Sequence, residues 1–176
     1  MRLAGTGIEL SASDLSNFLG CRHRTALDLA VAHGLRERPS WVDPALLVLQ
    51  ERGRAHERGY ASALSSEGLS VVDLGGCVDD EATGRSIEAM RAGAEVILQP
   101  ALRSGRWFGR PDVFRRVHQV SGLGAWAYEV VDTKLSQETR GGTILQLALY
   151  SELLAEAQAA RPERFHVVTP DRERPV

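Results

Sequence analysis

The run Ala125-Trp126-Ala127-Tyr128-Glu129-Val130-Val131-Asp132-Thr133-Lys134-Leu135 is the most strand-like stretch of the chain. Aromatic and β-branched residues crowd it, and the Gly-containing turn over 121–124 precedes it. Alternate residues of a strand share a face, so Tyr128, Val130, Asp132 and Lys134 lie on one side. Two residues of strand put the acid and the lysine roughly 6.6–7 Å apart along it. An acid and an amine ending an apolar strand have two readings: a solvated strand end, or the wall of a site. Composition bears on the choice. Of the 21 basic residues all but Lys134 are arginine. Arginine serves a surface equally well, whereas a compact ammonium on a thin stem, with a pKa that can shift, is what a reactive site needs.

Working outward, the residues before this strand read as another strand over 107–117. Its second half places Asp112, Phe114 and Arg116 on one face and Val113, Arg115 and Val117 on the other. A hairpin pairing of the two strands brings Asp112 and Asp132 together at the end of the sheet. Two carboxylates that close repel each other unless a cation lies between them. Beyond the strand, a polar loop is expected over 137–142, a helix over about 143–160 and a last strand over 165–169. On that helix Gln146 and Tyr150 form an i, i+4 pair, able to donate hydrogen bonds and to stack on a base, or to form the polar rim of a helix packed on the sheet.

Upstream, a strand is expected after Gly68 through Leu74, then a Gly75-Gly76-Cys77 loop, a helix over 80–92 and a strand over 94–102 with Pro100 as its point of interruption. The first 66 residues read as helical. Ser13 caps a short helix closed by Gly20, a second helix covers 21–33 with Gly34 after it, and Asp43-Pro44 opens a third that extends to about Leu64. On the third helix Leu46, Leu49, Gly53, His56, Tyr60 and Ala63 recur at helical spacing. His56 therefore belongs to the inward stripe, and Glu51, Arg52, Arg54, Glu57 and Arg58 to the charges around it. A glycine inside a helix implies that something packs close to Gly53. His56 is either a core histidine satisfied by a carbonyl or a ligand.

Joined to Asp112 and Asp132, the His56 imidazole makes an oxygen-rich set with one nitrogen, which suits Mg²⁺ or Mn²⁺ better than structural zinc. Such ions clamp phosphate oxygens and acidify bound water, and an adjacent ammonium can orient that water or offset growing charge. Hydrolysis of a phosphodiester is the chemistry expected. Arg103, Arg106, Arg110, Arg115 and Arg116, with Trp107 and Phe108 among them, form a basic and aromatic stretch beside Asp112 that reads as phosphate contacts or as a solvated strand edge.

At 176 residues the chain is long enough for one domain with a real core, and its 43% hydrophobic and 25% charged content excludes disorder and fibrous repeats. A net charge of -2 excludes a wholesale polyanion binder. Cys21 and Cys77 are too few for a disulfide framework or a closed zinc site. No apolar run approaches the roughly 18 residues of a membrane span and no signal-peptide core opens the chain, so a cytoplasmic location without membrane association is expected.

The ordered set of His56 in Gly-Arg-Ala-His-Glu, Asp112 in Gly-Arg-Pro-Asp, Asp132-Thr-Lys134 after an apolar strand, and Gln146-Leu-Ala-Leu-Tyr150 resembles the RecB-type nucleases of the PD-(D/E)XK superfamily, which include CRISPR-associated exonucleases. Leu10-Ser-Ala-Ser-Asp-Leu and Phe18-Leu-Gly-Cys21 look like the start of the same domain. The resemblance implies an α/β, restriction-endonuclease-like core, with a mixed central β-sheet flanked by helices and an N-terminal helical segment. A single domain over 1–176 would divide into a helical part over 1–66 and a sheet core over 67–170. It also implies metal ligation by His56, Asp112, Asp132 and the backbone carbonyl of Thr133, with Lys134 catalytic and Gln146 and Tyr150 supporting it; Arg110, from the basic stretch, is expected with them as a nucleic-acid contact or support. The substrate would be DNA, as single strands or duplex ends, cleaved exonucleolytically in repair or defence. Relatives with an iron–sulfur cluster carry three cysteines after the Gln-x-x-x-Tyr helix; here no cysteine follows Cys77, so no cluster is expected. Family members are often longer, so the chain is also read as the N-terminal fragment of a larger protein that works with a partner such as a helicase. The competing class is a nucleic-acid-binding module whose nuclease site is no longer productive.

Overall fold

A computed structural model describes residues 1–5, 7–41, 43–136 and 141–175, with only the backbone of Arg172 and Arg174. The polar loop expected over 137–142 lies mostly outside the described residues. The protein is mixed α/β, with five helices and two sheets among the described residues.

The central sheet has six strands in the order β10-β9-β8-β7-β4-β3: β3 (Val71–Asp73), β4 (Val96–Leu98), β7 (Val113–Val117), β8 (Ala127–Thr133), β9 (Phe165–Thr169) and β10 (Arg172–Pro175). β7 runs antiparallel to both β4 and β8, while β3 is parallel to β4 and β9 to β8. The β7–β8 register pairs Val113 with Val131 and Phe114 with Val130. One further step sets Asp112 across from Asp132.

The alternation read in both strands is what fills the two faces. Phe114, Tyr128 and Val130 pack with Met90 of α4 (Asp79–Ala92) and with Leu147, Tyr150 and Leu154 of α5 (Gly141–Gln158). Val113 and Val131 pack with Val168 and with Leu64 of α3 (Pro44–Ser66) on the other face. Polar anchors fix the layers. Tyr128 Oη donates to the Ala94 carbonyl at 2.6 Å, and Trp126 Nε1 to that of Met90 at 3.0 Å. The buried Gln158 amide pairs with the Tyr128 backbone in both directions, clipping the end of α5 to β8.

The N-terminal part departs from the expected all-helical segment. Before α1 (Ala12–Gly20) and α2 (Arg22–Ala32), a hairpin of β1 (Arg2–Ala4) and β2 (Gly7–Ser11) turns at Gly5, whose φ of +60° suits glycine. β2 pairs in parallel with β6 (Trp107–Gly109), and β5 (Leu102–Ser104) completes a second, four-stranded sheet. The expected strands over 94–102 and 107–117 are each therefore two short strands, broken at Pro100 and at Arg110-Pro111-Asp112, because prolines cannot donate to a ladder. The cap of α1 is also earlier than Ser13: Asp14 Oδ2 accepts from both the N–H and the hydroxyl of Ser11.

Asp43 caps α3 through Ala45 N at 2.9 Å, as the Asp-Pro pair implies. The inward stripe of this helix is rotated from the expected one. Leu46 and Leu49 are exposed, nothing approaches Gly53 within 4 Å of where a Cβ would sit, and Glu57 lies half-buried beside His56. A continuous apolar run, Leu46 to Leu49, misled the periodicity because the first half of the helix extends beyond the sheet it packs on.

Candidate active site

The site is assembled where β7 and β8 end, against α3 on one side and α5 on the other. Asp112 is held by its neighbour across the ladder: its Oδ2 accepts from the backbone N–H of Thr133 at 2.7 Å and from the Thr133 hydroxyl at 2.8 Å. Its own carbonyl accepts from Gln99 N at 2.8 Å. Asp112 is thus fixed by the sheet and by the residue after β4.

Asp132 is only 2% exposed. Its Oδ2 makes an ion pair with Lys134 Nζ yet has no hydrogen bond of normal geometry. Burial first, and the charge of Asp112 second, push its carboxyl up to about 6, against the opposing pull of Lys134. A buried carboxylate without adequate hydrogen bonds is destabilising in isolation.

From α5, Gln146 Nε2 donates to Tyr150 Oη at 3.1 Å, confirming that the pair shares a face. Tyr150 is buried, and its hydroxyl is pushed up to about 12, chiefly by burial and further by Asp132 and Asp112. The ring reaches this position because residue 109 is glycine: a Cβ there would stand 2.8 Å from Tyr150 Cδ1 and 2.7 Å from Leu153 Cδ1.

From α3, His56 Nε2 lies 3.1 Å from the Val168 carbonyl on β9, which also accepts from Lys134 N at 2.8 Å. A carbonyl only accepts, so Nε2 carries a proton in this hydrogen bond. No hydrogen bond joins the ring to Asp112 or Asp132. The structure joins Asp112 to Thr133 and Asp132 to Lys134 at the same strand end, and anchors His56 there through the Val168 carbonyl.

Sequence reasoning missed Glu57, which it placed among surface charges. Burial, followed by the charge of Asp112, raises its carboxyl, while Gln99, Arg58 and Lys134 act in the opposite sense. Glu57 Oε1 accepts from Gln99 Nε2. Gln99 is one of two non-glycine residues with positive φ among the described residues, at +50°, a conformation that costs roughly 1–2 kcal/mol. A cavity of about 180 Å³ opens beside them, lined by Glu57, Asp73, Gln99 and Asp112. Rotating the α3 stripe by one residue from His56 would have exposed Glu57 as inward-facing, but the exposed leucines of the same helix obscured that phase.

The arginines beside Asp112 are already engaged. Arg110 donates to Asp79 Oδ1 at 3.0 Å and to the carbonyls of Leu74 and Cys77, stapling the start of α4 to the turn before Asp112. Arg103 pairs with Glu9 and Asp80, Arg115 with Glu173, and Arg116 with Glu95. Arg106 Nε donates to the Ile8 carbonyl.

Among the described residues, no three His, Cys, Asp or Glu side chains already stand together as a metal-holding group. The donor chemistry nevertheless fits a divalent cation. Asp112, Asp132 and Glu57 are hard oxygen donors whose charges press on one another, with Lys134 the cation paired to Asp132. No helix among the described residues is long and apolar enough to cross a membrane. No known family model matches the chain. No curated protein matches it either.

Proposed function

We propose that the protein is a metal-dependent nuclease of the RecB type, built on a restriction-endonuclease-like core, that hydrolyses DNA phosphodiester bonds at single strands or duplex ends in repair or defence. The observation that carries this reading is Asp132, buried, its carboxyl pushed up by burial and by the charge of Asp112 across the β7–β8 register, with Lys134 paired to its Oδ2 as counter-charge. Charge crowding of this kind lowers stability and makes sense where a cation and a phosphate are to be received.

Mg²⁺ or Mn²⁺ would be held by Asp112, Asp132, His56 and the Thr133 backbone, and would supply Lewis-acid polarisation of the phosphate and acidification of water. The protein's own residues do the remaining work. Thr133 fixes the Asp112 carboxylate by two hydrogen bonds, so its free oxygen faces one direction. The Lys134 ammonium orients the attacking water or offsets charge growing on the phosphate. Tyr150, with its hydroxyl neutral at any physiological pH, and Gln146 present hydrogen-bonding groups to the substrate side. Arg110 supports the site by holding the turn that carries Asp112.

Cleavage of a labelled single-stranded oligonucleotide in Mn²⁺ tests the reading. Lys134→Arg keeps the charge but not the compact ammonium, so cleavage falls by roughly a hundredfold or more while folding is unchanged. Equal cleavage by wild type and variant rejects the mechanism. DNA binding by both with cleavage by neither identifies a binding module.

A further inference from the structure

We propose that the first half of α3 is a self-association surface, on which a second copy of this chain packs its own α3 antiparallel across a two-fold axis. Leu46, Leu47, Val48 and Leu49 are each about half exposed, and Trp41, two residues before the cap at Asp43, is 78% exposed. Successive residues of a helix are turned by about 100°, so these four carry apolar surface round the whole circumference, a pattern that belongs to a buried helix. With Trp41 they offer apolar surface on the order of 500 Å², within the range of the largest patch on a typical monomer and more than half of the ~800 Å² that each partner of a stable complex gives up. Gly53 points the same way. Glycine is disfavoured in the middle of a helix, and a Cβ there would meet nothing within 4 Å, so nothing inside the chain uses the room.

Leu46 and Gly53 lie two turns apart on the stripe that runs on to Tyr60 and Leu64, which pack on the sheet. At Leu46 the sheet has ended, and an antiparallel partner helix fills its place. That arrangement sets Leu46 of one copy into the gap at Gly53 of the other, and the two-fold repeats the contact. The charges fit the same axis. Asp43 and Arg54 lie three turns apart on one flank of the stripe, and a two-fold between antiparallel helices brings like flanks together. The Leu46–Gly53 pair is centred between residues 49 and 50, and the Asp43–Arg54 pair between 48 and 49, so one axis serves both to within a rise of about 1.5 Å. The Arg54 side chain is 65% exposed and pairs loosely with Glu51 at 3.7 Å. Asp43 uses one oxygen to cap α3, and a carboxylate has a second to accept the guanidinium of the other copy.

Sedimentation equilibrium of the full chain over about 1–200 µM, with thermal melting of dilute samples, tests the surface. Wild type passes from one chain to two with a dissociation constant on the order of 10 µM, in keeping with an interface at the low end of the specific size range. Leu46→Glu weakens association about a hundredfold or more, because it buries an unpaired charge, and leaves the melting temperature of the dilute single chain unchanged. Gly53→Leu moves the two readouts in opposite directions. It fills the gap and weakens association about tenfold or more, yet raises the melting temperature of the dilute chain, since leucine favours a helix over glycine and its Cβ has open space. Arg54→Glu sets two carboxylates together at each end of the contact and weakens association about tenfold, less at high salt. A wild type that stays a single chain at every concentration overturns the proposal, and so does a dimer indifferent to Leu46→Glu. Association lost in Leu46→Glu but unchanged in both Gly53→Leu and Arg54→Glu overturns the antiparallel packing of α3 on α3.

Discussion

Strand β8 carries two buried carboxylates three residues apart, and their surroundings are opposite. Glu129, 7% exposed, faces the α3 side of the sheet, where its Oε2 lies 2.7 Å from His166 Nε2. His166 Nδ1 lies 3.1 Å from Glu173, which is also paired with Arg115 at 2.6 Å and accepts from Tyr60 Oη at 3.3 Å. Acids and bases alternate in that cluster. Asp132 on the α5 side feels the charges of two further carboxylates, Asp112 and Glu57, against a single lysine paired to its Oδ2. The same strand thus holds a matched charge network, which secures the β9–β10 edge, and an unmatched one, which is what a ligand-receiving site requires.

Substitution at the two acids should separate these roles most sharply. Asp132→Ala is expected to lower Mn²⁺-dependent cleavage by at least about a thousandfold, the scale of losing a principal electrostatic group, with no loss of melting temperature. Glu129→Ala should do the reverse, costing about 3 kcal/mol of stability by removing the buried partner of His166 Nε2, with cleavage per folded molecule near wild type. Denaturant titration and oligonucleotide cleavage on both variants check this; a destabilised Asp132→Ala would break the contrast.

The pH dependence of stability sharpens it further. The Asp132 carboxyl, raised to about 6 from 3.8, holds its proton more tightly in the folded than in the unfolded chain. Stability in chelator therefore falls as pH rises from about 4 to about 6, and the full penalty persists above that window. Asp132→Asn removes this part of the slope and stabilises the protein at pH 7 by about 3 kcal/mol, at roughly 1.4 kcal/mol for each tenfold change in proton affinity. Urea denaturation of both proteins at pH 4, 5, 6 and 7 measures the difference, and parallel curves would contradict the assignment.

Packing next to the site gives a similar but less specific effect. Gly109→Ala drives a methyl into Leu153 and Tyr150, at an expected cost of about 1–3 kcal/mol and with a measurable fall in melting temperature. The smallest effect is expected at Leu49, 55% exposed on the first half of α3: Leu49→Ser should change stability by no more than about 0.5 kcal/mol, whereas Leu64→Ser in the buried second half should cost several times as much.

Local pattern alone determined much of this molecule. The alternation in 113–117 and 127–133 fixes which residues face α4 and α5 and which face α3, because side chains of a strand alternate with period two. Caps at Asp43 and Gly34 mark helix ends as read, since Asp43 accepts from Ala45 N and Gly34 has φ +71°. Asp112, Asp132 and Lys134 were legible as neighbours once those strands were paired. The hairpin at 2–11, strand β10 and the splitting of two long strands were not, because short strands carry few periods and are stabilised by partners distant in the chain, as Leu10 is by Trp107. The phase of α3 likewise depends on how much of the helix reaches the sheet. Only tertiary structure could turn Glu57 inward and leave Leu46 and Leu49 exposed. It alone tied the arginines around Asp112 to carboxylates and carbonyls, because a charge's partner is set by three-dimensional proximity and not by its position in the sequence.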